Sequence, residues 1–189
     1  MVKPILAFIR LPLLLLVSAV LFSSCSKKET EPTIDFGADE GISYRDASNM
    51  PNGPQDPTDW TSDATWNAQE RALFPEVNFD LNGPQQPALV GARQAFPNPA
   101  PAGQANWTLQ TQRGPGGGAA TYTLRVVFVN RKYQVLQRLE PVNLILSQSY
   151  AFDYAKMGAP AKEVFRLYYV VNNADGLVYK GHGDVRYGQ

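Results

Sequence analysis

The chain has 189 residues, 17 basic and 17 acidic side chains, a formal net charge of zero, one histidine and one cysteine. Balanced charge argues against a polycationic nucleic-acid binder, and a lone cysteine rules out an intrachain disulfide framework. One histidine and one cysteine would leave carboxylates to complete any zinc site, so no metal or other cofactor is expected.

Lys3 and Arg10 precede a mostly apolar run from Leu11 to Phe22, which gives way abruptly to Ser23-Ser24-Cys25 and a polar stretch. The apolar run is too short to span a bilayer and suits the core of a signal peptide. Ser23-Ser24-Cys25 resembles the lipobox of bacterial lipoproteins, in which the cysteine is diacylated and becomes the new N-terminus; Phe22 stands where that pattern usually has Leu, Val or Ile. The resemblance implies a cleaved signal peptide over 1–24, a membrane anchor at Cys25 and an outer-membrane address facing the periplasm or the cell surface. Each buried acyl methylene contributes about 0.8 kcal/mol of membrane affinity, so two or three chains hold firmly where one holds weakly.

Cleavage leaves 165 residues with a net charge of −2, enough for one domain with a real core. Charge is uneven, −8 over residues 25–90 and +6 over 91–189, so either the acidic half folds onto the basic one or a basic surface awaits a partner. Residues 25–57 are rich in Pro, Gly, Asn and Ser and read as a flexible lipidated tether, although the brief alternations Ile34/Phe36 and Ile42/Tyr44 allow part of it to dock. Asp35, Asp39, Glu40 and Asp46 lack EF-hand spacing. Lys27-Lys28-Glu29 resembles the charged export signals of surface lipoproteins in Bacteroidetes.

A single β domain is expected over 58–189. Asn67 and Glu70 have capping-box spacing and Pro75 forces an end, which predicts a short helix before Phe74. Trp60 and Trp66 beside it, and Trp107 further on, are either core plugs or exposed platforms for stacking sugars. Beyond Pro87 the pattern is that of strands: 88–95, 105–111, 119–130, 133–139, 142–148, 164–171 and 177–187. Tyr122, Leu124, Val126 and Phe128 alternate with polar residues, whereas 164–171 is apolar on both faces except at Arg166 and reads as a central strand. Asp175-Gly176 is hairpin chemistry between the last two strands. Seven antiparallel strands make an all-β sandwich.

Phe96-Pro97-Asn98-Pro99-Ala100, with Trp107-Thr-Leu and the run 124–136, is similar to the opening of the type A C-terminal sorting domain of type IX secretion cargo. That family implies an immunoglobulin-like sandwich. The order of lipobox, Asp59-Trp60 segment, Phe-Pro-Asn-Pro and Lys180-Gly-His-Gly-Asp184 resembles small lipoproteins of Bacteroidetes. The end, Val185-Arg-Tyr-Gly-Gln189, lacks the basic tail of cargo signals, which counts against a cargo role.

No constellation of catalytic residues emerges. His182 and Asp184 share a strand face but have no positioned nucleophile, and the flanking Gly181 and Gly183 suggest close backbone approach. Gly114–Gly118 lacks the Lys-Ser/Thr of a phosphate loop. The expectation is therefore a non-catalytic interaction module for an envelope protein, using the loops at one end or a basic face carrying Arg125, Arg166 and Arg186. The alternative is a carbohydrate binder built on Trp60, Trp66 and Trp107. A hydrolase would require Asp153 and Asp184 to face each other across a cleft.

Overall fold

In a computed structural model of the chain, residues 31–37, 41–92, 94–112, 121–144 and 146–188 are described. Cys25, the signal segment, Lys27-Lys28-Glu29 and Gly114–Gly118 lie outside them. The described residues contain a short helix, α1 (Ala68–Ala72), and eight strands: β1 (Val90–Ala92), β2 (Gln104–Thr111), β3 (Tyr122–Val129), β4 (Val135–Arg138), β5 (Val142–Leu144), β6 (Ser147–Asp153), β7 (Val164–Asn173) and β8 (Gly176–Arg186). Among the described residues no helix is long and apolar enough to cross a membrane.

The strands form an antiparallel all-β sandwich. One sheet has the order β1-β2-β6; in the other, β7 lies between β3 and β8, while β4 and β5 follow one another along the far edge of β3. Alternation fills the space between the sheets. Tyr122, Leu124, Val126 and Phe128 of β3 join Phe165, Leu167, Tyr169 and Val171 of β7 and meet Trp107, Leu109 and Phe152 of the smaller sheet. The outer face of that smaller sheet is polar and uncharged along β2, with Gln104, Asn106, Thr108 and Gln110.

The larger sheet is apolar on its second face as well. Val127, Val129, Val164, Tyr168, Val170 and Leu177 pack under Ile34, Phe36, Ile42, Trp66, Leu73, Phe74 and Leu81. This corrects the tether reading for its described part: residues 32–37 and 41–57 form a strap that belongs to the same compact unit as the strands. The strap docks as irregular chain rather than as an edge strand, with the Ile34 amide donating to the Arg131 carbonyl (2.7 Å) and the Phe36 ring lying under the Arg131 and Arg166 guanidiniums. Helix α1 starts where the capping box does: Asn67 Oδ1 accepts from the Glu70 amide (2.9 Å), and Glu70 Oε2 accepts from the Asn67 amide (2.7 Å).

The predicted strand 142–148 is two strands. The chain leaves the larger sheet after β5, passes Leu146 at φ 105°, and enters the smaller sheet as β6, which runs on to Asp153. The first strand is also shorter than expected, Val90–Ala92 instead of 88–95. The β7–β8 hairpin is as expected, with Gly176 at φ 113°.

Gly181 and Gly183 have a packing reason. Residues 60–63 run along the free edge of β8, the Trp60 amide donating to the His182 carbonyl (2.9 Å) and the Asp63 amide to the Lys180 carbonyl (3.0 Å). A Cβ on Gly183 would overlap the Trp60 indole, and one on Gly181 would overlap the Thr61 carbonyl oxygen. Gly183→Ala should therefore cost about 1–3 kcal/mol of stability by overpacking. Phe36→Ala should cost about 3–5 kcal/mol in urea unfolding, as a buried core phenylalanine does; a loss below about 1 kcal/mol would return the first part of the strap to a free tether.

Candidate functional site

Asn98, the middle of the Phe-Pro-Asn-Pro motif, is buried and joins the strap to β8. Its backbone exchanges two hydrogen bonds with Arg45 (2.8 and 2.9 Å). Its side-chain Nδ2 donates to the carbonyls of Ser43 (3.2 Å) and Asp184 (2.9 Å), while Oδ1 accepts from the Arg186 amide (3.1 Å). One side chain thus satisfies backbone groups from two elements, which fixes Arg45 on the strap beside Arg186 at the end of β8.

A cleft of about 710 Å³ opens between them. Its lining includes Pro97, Pro99, Pro101 and Ala102 together with Tyr44, Arg45 and Arg186. Arg186 Nη2 donates to the Tyr44 hydroxyl (3.0 Å), its guanidinium lies over the Tyr44 ring, and its Nε–H is buried without an acceptor. Arg45 donates through Nε to Gln94 Oε1 and through Nη1 to the Asn49 carbonyl (3.1 Å). Among the described residues neither guanidinium has a carboxylate partner. Asp46, also in the cleft wall, uses Oδ1 to accept the Ser48 and Met50 amides (2.8 and 2.9 Å).

Behind the cleft lies a buried polar network. Asp59 accepts the Asp184 amide on Oδ1 (3.0 Å) and the Ser43 amide on Oδ2 (3.2 Å). Asp184 receives Arg166 Nε (2.5 Å) and Nη2 (2.6 Å), a bidentate pair. Burial, and then the charge of Asp184, pushes the Asp59 carboxyl up to about 8. Burial raises Asp184 too, but Arg166 opposes it, so Asp59 is the member of the pair that holds the proton. His182 Nδ1 is 2.9 Å from both oxygens of Asp63, and the buried Lys180 ammonium donates to the carbonyls of Asp63 (2.8 Å) and Ala64 (2.9 Å). Asp59, His182 and Asp184 bring potential metal-ligand atoms within 4.8 Å of one another. Protein donors already reach both oxygens of each aspartate.

The anticipated residues separate cleanly. Trp60, Trp66 and Trp107 are 5 %, 1 % and 0 % exposed, so none offers a ring face to a sugar. Trp60 and Trp107 meet in the inter-sheet core at 6.4 Å, and Trp66 stacks on Phe74 under the strap. The supposed basic face is not free either: Arg125 donates to Asn172 (2.5 Å) and lies 3.6 Å from Glu76, and Arg166 is committed to Asp184. Only Arg186 of the three reaches the cleft. Asp153 and Asp184 lie on the opposite outer faces of the sandwich, Asp153 beside Lys156 (3.0 Å), and so share no cleft. His182 pairs with Asp63, not with a nucleophile. Arg45, Asp59 and Asp63 were missed, because residues brought together by a strap carry no spacing signal; the Phe-Pro-Asn-Pro motif was the visible trace of the pin.

An acid whose folded pKa of about 8 exceeds its ordinary 3.8 binds its proton more tightly in the native state than in the unfolded one. Its contribution to stability is complete below the unfolded value and is lost as pH rises through about 8. The unfolding free energy of wild type, measured by urea titration, should therefore fall relative to that of Asp59→Asn between about pH 5 and pH 9, by an amount on the order of a few kcal/mol. A gap independent of pH would contradict the assignment.

No protein-family model matches the chain and no curated protein matches it significantly.

Proposed function

We propose that this chain is a non-catalytic interaction module of a bacterial outer envelope, anchored by lipid on Cys25, that offers the Arg45–Arg186 cleft to another envelope protein. The lipobox-like Ser23-Ser24-Cys25 supports the anchor and the address. The observation that carries the interaction reading is the cleft itself: two arginines without carboxylate partners among the described residues, held on a sandwich by the buried Asn98 and walled by three prolines. Rigid placement of that kind lowers the ordering cost of binding. The carbohydrate alternative depended on exposed tryptophan rings, and the hydrolase on an Asp153–Asp184 cleft; the buried indoles and the separated carboxylates favour neither.

Two measurements check this. Cys25→Ser should move the protein from the membrane fraction to the soluble one. A photo-crosslinking amino acid at Ala102, in the cleft wall, should give a discrete protein adduct in cells that the same group at the exposed Ser149, on the outer face of the smaller sheet, does not give. Identical adducts at both positions, or none at Ala102, would refute the cleft as the interaction site.

A further inference from the structure

Arginines elsewhere on the larger sheet have carboxylates: Arg125 and Arg138 share Glu76 at 3.6 and 3.7 Å, and Arg166 holds Asp184. Arg45 and Arg186 have none among the described residues, although they line one cleft. Protein acceptors take two of the N–H donors of Arg45 and one of those of Arg186, and the buried Nε–H of Arg186 is left without an acceptor. A planar guanidinium matches a carboxylate in both charge and geometry. With Asp46 included, the charged side chains of the lining sum to a single positive charge. That balance suits one carboxylate better than a phosphate or a dense polyanion.

The three prolines of the lining restrict the ligand further. Pro97, Pro99 and Pro101 lack amide donors, so they do not compete for the anion, and their fixed rings present apolar surface along the cleft. A free inorganic anion would leave that surface in water, whereas an extended peptide with apolar atoms next to its acidic side chain would cover it. Resting on the interaction reading above, we propose that the cleft binds an acidic side chain of an extended partner peptide, the carboxylate between Arg45 and Arg186 and the flanking backbone against the three prolines.

The test uses full-length lipidated protein in detergent micelles and the fluorescence anisotropy of a fluorescein-labelled peptide of alternating glutamate and alanine. The peptide in which lysine replaces glutamate and a labelled oligogalacturonate serve as comparisons. The glutamate peptide should bind saturably, and Arg186→Gln should weaken it about tenfold or more, the loss expected for a charge-assisted hydrogen bond. Arg45→Gln should do the same, and it carries the test should Arg186→Gln fail to fold. Arg138→Gln, outside the cleft, should leave binding unchanged. Equal loss in Arg138→Gln, no binding of the glutamate peptide, or Arg186-dependent binding of oligogalacturonate in its place would each overturn the proposal. Persistence of the Ala102 adduct in cells while the peptide fails would overturn the carboxylate chemistry and keep the interaction module. Peptide binding without any adduct would do the reverse.

Discussion

A sheet that carries valine, leucine and aromatic side chains on both faces cannot leave either one in water, and the rest of this structure follows from that constraint. The inner face of the larger sheet is covered by the smaller sheet. The other is covered by the strap and by the segment from Trp66 to Leu81, which bring Ile34, Phe36, Ile42, Leu73 and Phe74 over Tyr168 and Val170. Burying a large apolar side chain stabilises by roughly 1.5–3 kcal/mol, so this set can offset much of the entropy of ordering irregular chain. Helix α1 is too short to persist alone; its capping box shapes it and the tertiary contacts of Trp66, Leu73 and Phe74 around it hold it.

Irregular chain lying across a sheet brings unpaired backbone groups with it, and these must be satisfied where the strap meets β8. Asn98 and Asp59 do this from opposite directions. Asn98 supplies donors to the Ser43 and Asp184 carbonyls, and Asp59 supplies acceptors to the Ser43 and Asp184 amides. Placing Asp59 there sets it beside Asp184, and two buried carboxylates cannot both ionise cheaply; Arg166 compensates one and a proton the other. The buried Lys180 ammonium is held by hydrogen bonds instead, to the carbonyls of Asp63 and Ala64 in the chain that edges β8. The seam that closes the fold is thus also what sets Arg45 beside Arg186.

Much of the architecture was legible from the sequence because it obeys local rules. The alternation Tyr122, Leu124, Val126, Phe128 and the two-faced run 164–171 encode inward faces and a central strand, and Asp175-Gly176 encodes a hairpin. The strap was not legible as structure, since its prolines and glycines carry the composition of a linker while its few apolar residues do the packing. The tryptophans illustrate the same ambiguity: an indole that plugs a sandwich and one that stacks on a sugar look alike until burial is known. Charge marks the basic residues of a sequence, but it does not reveal which arginines already own a carboxylate. The Arg45–Arg186 pair, joined through a motif some fifty residues from one and ninety from the other, arises only from the fold.

The central claim is that the strap folds with the sandwich and thereby builds the cleft. Native-state hydrogen exchange at the Ser43, Arg45 and Asn98 amides tests it most directly, because all three donate across the seam. Protection comparable to that of β7 amides is the expected result. Exchange of these three at open-chain rates while β7 stays protected would mean that strap and sandwich are independent, and that the cleft does not persist in solution.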